Sequence, residues 1–313
     1  MDKTITIRMK RPAMGCEFEL VLCGADRQYL LDAGGEAFEE LERLEEQLSV
    51  FRPASDISDI NARAGSEPVR VDPRLLNLLL LAKRVSADTG GAFDVSSGPL
   101  IERWSRVADG LPVPTAEEIA ELLSKCGMRH LRLDEEAGTV RFEHEGMSLN
   151  LGALGKGYAV GEMASLLHDR GIGAALISGG ASSIYALGRP PDDGAWTVGI
   201  RHPVNRAERL TTVRLCDRSL STSGGHERFV EANGVKYSHV VDPRTGYPAE
   251  GLLVAAVIGR DPAEGDALST ALLVLGKDGA REYCDGHAEV SALLVAGSAE
   301  QSQPEIMRMG DFS

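Results

Sequence analysis

Aromatic residues are scarce in this chain, at 5% of 313 residues, so aliphatic side chains and alanine must fill its core. Cysteine offers no framework either. The five thiols (Cys16, Cys23, Cys126, Cys216 and Cys284) are odd in number and far apart, with no CxxC pair. That pattern argues against a disulfide scaffold or a zinc ribbon and fits buried thiols in a reducing compartment. Positive charge is in deficit: 33 Lys and Arg against 47 Asp and Glu give a net charge of −14. With no basic cluster, a phosphate backbone is repelled, and no nucleic-acid partner is expected. Long apolar runs are missing as well. The opening MDKTITIRMKRPAMG has neither the apolar stretch of a signal peptide nor a lipobox-like cysteine site. The expectation is a cytoplasmic protein without membrane insertion.

What is present is ordinary globular material, 43% hydrophobic and 26% charged, enough for one large domain or two intimately packed ones. Residues 4–9 and 17–23 alternate apolar and polar side chains, as half-buried strands do. Over 29–48, Leu30, Leu31, Ala37, Phe38, Leu41, Leu44 and Leu48 recur at helical spacing. A helix over 73–88 is opened by Pro73 and closed by Gly90-Gly91, and Thr115 caps another over 115–126. Strands are expected on both sides of a turn at 136–138. A Gly-rich turn then feeds a helix over 158–170, and short strands between Gly and Pro turns follow from Ala174. A helix over 265–275 and a strand near 289–295 come last, before a polar tail read as frayed. Strands outnumber helices without regular alternation, so the class is α+β. The domain reading is a single unit over 1–296 with a polar tail over 297–313.

Four segments have the residue types that chemistry needs. LNLGALGKGYAV, at 149–160, is a Gly-punctuated turn entering a helix, where free N–H groups and Lys156 suit an anion. It lacks the spacing of a nucleotide-binding Walker loop, and it reads equally as a tight strand-to-helix connection. SHVVDPRTGYP, at 238–248, ends a strand in a rigid polar corner containing His239 and Asp242. There, a turn-stabilising Asp beside a satisfied His is the competing reading. Asp266 and Thr270 lie four residues apart on one helical face and can offer oxygen ligands to one hard cation, although capping by Asp266 is the plainer role. The last segment is Gly91-Ala92-Phe93-Asp94, a turn with room to seat a flat ring against Phe93.

Their order along the chain decides between these readings. Met14-Gly15-Cys16, LSVFRPASDISDIN, GAFDVSSGPL, LNLGALGKGYAV, STSGGHERF, YSHVVDPRTGYP and DALSTALLVLG follow one another from Met14 to about Gly276. This series closely resembles the FAD:protein FMN transferase family, also called the ApbE family. The resemblance implies an α+β, T-fold-like architecture of mixed or antiparallel sheets with flanking helices, in two closely packed lobes around an FAD cleft. It implies an FAD site lined by Met14, Phe51, Ala92, Phe93, Asp94, Asn150, Lys156 and Val240. It further implies a metal, Mg²⁺ or alternatively Mn²⁺, held by a backbone oxygen at Ala153 together with Asp266 and Thr270. Catalysis falls to His239, Lys156 and Asp266. The implied reaction moves the FMN half of FAD onto a Ser or Thr hydroxyl of a partner flavoprotein, releasing AMP. Three positions depart from the usual pattern of the family. Asn150 and Gly161 stand where Asp is common, and a "GGD" signature becomes Gly179-Gly180-Ala181-Ser182-Ser183. Two other functions use the same site: an FAD pyrophosphatase with water as nucleophile, and a non-catalytic FAD-binding protein.

Overall fold

The N-terminal alternation folds as a hairpin of β1 (Ile5–Ala13) and β2 (Cys16–Gly24). Ala13 pairs with Cys16, which leaves Met14 and Gly15 as a two-residue loop with φ of 49° and 69°. Two successive positive values make the type I′ turn whose twist matches the strands it joins. The computed structural model in which this is seen describes residues 4–191, 194–205, 208–224, 229–232, 234–297 and 304–312. Helix α1 (Arg27–Leu48) follows, its first amides capped by the carboxylate of Asp26. It lies close on the hairpin, since a Cβ at Gly34 would be 2.6 Å from the sulfur of Met9.

A helical region comes next: α2 (Asp56–Arg63), the short strand β3 (Val69–Arg70), α3 (Pro73–Asp88), α4 (Gly98–Ala108) and α5 (Ala116–Leu123). Helices α2 and α4 were not expected from periodicity. Each buries only two or three large apolar side chains, Ile57 and Ile60 on α2 and Leu100, Trp104 and Val107 on α4, too few to stand out in the sequence. Their start signals, the Ser55 cap and Pro99 in the first turn, sit among loop-like residues. Strands β4 (Leu131–Asp134) and β5 (Thr139–Phe142) flank the expected turn, and β3 joins them in a small sheet of order β3–β5–β4.

Helix α6 (Gly155–Asp169) begins three residues before the expected start, inside the Gly-rich turn. After it come β6 (Ala174–Gly179), β7 (Ser183–Gly188), β8 (Trp196–Arg201), β9 (Arg209–Leu215), β10 (Arg218–Gly224), β11 (Phe229–Ala232), β12 (Val235–Ser238) and β13 (Leu252–Gly259). Helix α7 (Pro262–Gly286) is longer than expected. Its backbone breaks at Gly276, with φ 71° and ψ −173°, so the stretch ending at Leu275 is its first straight segment. Strand β14 (Ser291–Ala296) is where a final strand was expected. A further strand, β15 (Glu305–Met309), pairs with it. For the described part of the tail the reading as frayed is therefore corrected: Glu305–Met309 forms an edge strand of the main sheet, and Phe312 beyond it is buried. Only a few apolar residues among polar ones carry that strand, and its pairing partner supplies the rest of the ordering.

The main sheet has eight strands in the order β1–β2–β6–β7–β10–β13–β14–β15, with every neighbouring pair antiparallel. Its two faces bury different cores. Leu252, Ala255, Val257, Ala292 and Leu294 face the large core shared with α1, α3, α6 and α7. Leu253, Val254, Ala256, Ile258, Leu293 and Val295 face a second core, closed by the β8–β9 ribbon and Phe312. The register break between Leu252 and Val254 puts Leu253 and Val254 on the same side. Burial on both faces explains why β13 reads as an unbroken apolar run. A third, small core gathers Leu100, Trp104 and Val107 of α4, Ile119 of α5, Cys126 and Val241 under the β11–β12 hairpin. The α+β, largely antiparallel class with flanking helices is as expected.

Candidate functional site

The N-terminus of α6 meets the first turns of α7, and glycine makes the approach possible. A Cβ at Gly157 would stand 2.1 Å from the Pro262 carbonyl oxygen and 2.9 Å from the Asp266 carboxyl carbon; any larger residue separates the helices. Gly157 is the third residue of α6, so its N–H has no partner within its own helix. It donates instead to Asp266 Oδ2 at 2.7 Å. Asp266 thus caps a helix other than its own, which explains how the Gly-rich turn becomes helical so early.

The Asp266 carboxylate is 6% exposed. The hydroxyl of Ser183 also donates to it, at 2.7 and 2.9 Å to its two oxygens. Burial pushes its carboxyl above the ordinary 3.8, while the charge of Lys156, the hydroxyls of Ser183 and Ser221 and the Gly157 amide pull the other way. Lys156 donates to Ser182 Oγ in the β6–β7 turn. One turn further along α7, the hydroxyls of Ser269 and Thr270 lie 2.9 and 3.0 Å from Ser223 Oγ on β10. Lys156, Asp266 and Thr270 therefore belong to one hydroxyl-rich junction of α6, α7, β7 and β10. The serines at 182, 183 and 223 were not singled out as site residues, since serine spacing in a strand carries no signal of its own. Only the unusual run at 179–183 pointed near them.

The remaining expected residues fall around this junction at different removes. Asn150 and Ala153 lie on the loop feeding α6, both half-buried. The Asn150 side-chain oxygen accepts from the Gly152 amide at 2.9 Å, so it stabilises its own loop. The Asn150 amide donates to the Val95 carbonyl at 2.7 Å, which sets the 92–95 segment alongside. In that segment Ala92 and Phe93 are buried. Asp94 accepts from the Ser96 amide and hydroxyl at 2.7 and 2.6 Å and from the Met128 amide at 3.1 Å. Burial raises its carboxyl against those bonds. Asp94 is thus a loop-holding carboxylate as well as a candidate ligand. Met14 joins through its turn: the next residue but one, Cys16, packs on Gly180, whose amide donates to the Glu17 carbonyl. The Met14 amide donates to Glu45 at 2.7 Å, and Glu45 also pairs with Arg52. Phe51, beside Arg52, is 90% exposed, an unusual position for a bare aromatic ring.

His239 and Val240 follow β12. His239 is exposed, while Val240 packs on the large core and Val241 on the small one. The corner therefore straddles two cores. Asp242 accepts from Arg244 through the amide at 2.9 Å and through Nε and Nη2 at 2.9 and 2.8 Å. Arg244 also reaches the Val274 carbonyl, at 3.5 Å, just before the break in α7. The indole of Trp104 donates to the Gly246 carbonyl at 2.8 Å. The GGHERF part of the fifth motif is described only in part, since 225–228 lie outside the described residues. A cavity of about 720 Å³ beside α3 and α6 is lined by Tyr158, Gly161 and Pro262 but by none of Lys156, Asp266 and Thr270. The junction and that cavity are therefore lined by different residues.

Known proteins resemble this chain in sequence and in fold. An FAD:protein FMN transferase of Treponema pallidum (strain Nichols) is 36% identical over 275 residues, covering 83% of this chain and 76% of that protein. One from Klebsiella pneumoniae (strain 342) is 32% identical over 275 residues, covering 87% and 85%. Among solved structures, the ApbE protein of Thermotoga maritima matches with a TM-score of 0.88 at 26% identity, covering 97% of each chain. The apo form of Pseudomonas stutzeri flavinyl transferase ApbE matches at 0.87 and 27%, covering 98% of this chain and 95% of that one. Residues 2–294 match the sequence profile of the ApbE family, and the chain belongs to that family.

Proposed function

We propose that this chain is an FAD:protein FMN transferase. It binds FAD, and a Ser or Thr hydroxyl of an acceptor flavoprotein attacks the phosphorus carrying the riboflavin half. A new phosphorus–oxygen bond forms to the acceptor, the pyrophosphate bond breaks, and AMP leaves. The observation that carries the reading is the junction of Lys156, the α6 N-terminus and buried Asp266. A positive side chain and a helix N-terminus are groups that stabilise charge developing on phosphate oxygens.

The donors near Asp266 fit a hard cation. The groups that hydrogen-bond its carboxylate, an amide and a hydroxyl, are neutral; the charge of Lys156 offsets part of the cost of its burial, and a bound cation would offset more. Together with the Thr270 hydroxyl and the Ala153 carbonyl, it forms an oxygen-only set suited to Mg²⁺, or to Mn²⁺. Such an ion, when bound, supplies Lewis-acid charge to the pyrophosphate. Lys156 holds a phosphate oxygen, and Ser182 fixes the direction of its ammonium group. His239, exposed beside the corner, accepts the proton of the incoming hydroxyl, a role suited to imidazole near neutral pH. Phe51 and Met14 bound the flavin, with Ala92, Phe93, Asp94, Asn150 and Val240 forming the surrounding wall.

The test is incubation with FAD and Mg²⁺, with and without peptides carrying a Ser/Thr flavinylation motif, followed by mass spectrometry and an AMP assay. A peptide heavier by one FMN moiety, lost in EDTA, is the expected result. AMP release with every acceptor peptide left unlabelled overturns the transferase reading in favour of FAD hydrolysis, and bound FAD with neither product makes the chain a carrier.

A further inference from the structure

We infer that His130, Glu143 and His144 form a binding site for a divalent transition-metal ion of the zinc type, on the small β3–β5–β4 sheet. None of these residues belongs to the junction described above, and the inference does not depend on the proposed transfer reaction.

The backbone sets the three side chains together. Leu131 pairs with Phe142 at the end of the β4–β5 ladder, and the Glu143 amide donates to the His130 carbonyl at 3.0 Å. His130 and Glu143 are thus held opposite each other as the ladder ends. His144 comes next, its ring centroid 4.3 Å from that of His130. The ligand atoms of the three lie within 4.8 Å of one another. His130 Nδ1 is 3.0 Å from Glu143 Oε2 and 3.1 Å from His144 Nε2. Neighbouring ligands of a tetrahedral zinc, at its usual bond lengths, are separated by roughly 3.4 Å.

The proton count favours a metal at this point. Arg129 Nε is 3.0 Å from His130 Nε2, and a guanidinium only donates. The neutral His130 ring therefore keeps its one proton on Nδ1, where a carboxylate oxygen and a second imidazole nitrogen both compete for it. A divalent ion satisfies all three lone pairs at once. Binding at Nδ1 selects the other tautomer: the ring's one proton passes through solvent from Nδ1 to Nε2, with no net release, and exposed Arg129 turns away. Two imidazoles and one carboxylate favour zinc, nickel or copper over magnesium, with the open positions left to water. Arg129 opposes the ion, and so does Arg132, which pairs with the other Glu143 oxygen. Removing Arg129 should therefore tighten binding, whereas removing it from a simple surface ion-pair cluster creates no metal affinity.

Calorimetric titration of the full chain with Zn²⁺, in excess Mg²⁺ to saturate hard-cation sites, tests this. One Zn²⁺ per chain is expected, weakened about 10-fold or more by His144→Ala and by His130→Gln and strengthened by Arg129→Ala. Co²⁺ in place of Zn²⁺ should give visible absorption that both His variants abolish. His144 is exposed, so its variant keeps the fold. The inference is overturned by the lack of stoichiometric Zn²⁺ binding, or by a binding isotherm that His144→Ala leaves unchanged.

Discussion

Two buried carboxylates, Asp266 at the α6–α7 junction and Asp242 at the corner after β12, are satisfied in opposite ways. Asp242 finds its partners two residues along the chain, in the backbone and guanidinium of Arg244. That corner is complete in itself: charge meets charge, and the chain turns. Asp266 is held by groups from two other elements, the Gly157 amide and the Ser183 hydroxyl, both neutral. Its burial pushes the carboxyl upward, a strain that the fold keeps in place through a glycine contact. The two carboxylates thus differ less in burial than in who answers their charge: a bonded guanidinium at Asp242, and at Asp266 neutral donors with the charge of Lys156 acting through space.

Removing the Asp266 charge should separate the two most sharply. Asp266→Asn is expected to lower Mg²⁺-dependent FMN transfer by at least ~100-fold, read by peptide mass. Its effect on the apo fold runs the other way. The native state binds the Asp266 proton more tightly than the unfolded chain does. The stability this gives is therefore complete below the ordinary 3.8 and is lost as pH rises through the raised value. The amide carries no such loss, so above that window the apo variant should melt no lower than the parent, as calorimetric scans across pH will show.

The glycine contact gives the next largest effect. Gly157→Ala forces its Cβ into the Pro262 carbonyl and should cost about 3 kcal/mol in denaturant unfolding. Gly155→Ala, two residues earlier with no atom within 4 Å of its Cβ, should stay within about 0.5 kcal/mol of the parent. Asp242→Asn breaks the self-contained corner. Because the Arg244 side chain is 38% exposed, solvent takes up part of the freed charge, and a loss of about 1–2 kcal/mol is expected. The smallest change is Ser223→Ala, which leaves the Thr270 hydroxyl without its partner on β10. It should weaken Mg²⁺ about 10-fold in calorimetric titration and cost about 1 kcal/mol in stability.

These contrasts also mark what could be read from sequence. Lys156, Asp266 and Thr270 were legible because glycine punctuation and helical spacing are local properties, and the structure places them at one junction. The long helices and the N-terminal hairpin were legible for the same reason. Ser183 and Ser223 were not, because they become partners of Asp266 and Thr270 only when β7 and β10 pair, which no local pattern encodes. Asp94 had an obvious place in a motif, yet beside its local bonds to Ser96 its bond to the Met128 amide depends on a segment more than thirty residues away. Strand β15 was hidden for a related reason: its few apolar residues gain order only from the edge of β14.

One pairing in the main sheet sets a timetable for synthesis. Strand β2 must find β6, with Phe18 opposite Gly179. At ordinary translation rates, the ribosome needs roughly 10–30 s to make the chain between them. Through that interval the hairpin can be covered on one face by α1, but the free edge of β2 has no strand beside it. The nascent chain therefore carries an open, apolar edge for nearly half of its synthesis, the condition in which holding chaperones matter most. Slowing elongation within 25–173 should lengthen that exposure and lower the soluble yield, while the same delay placed after β6 should cost much less.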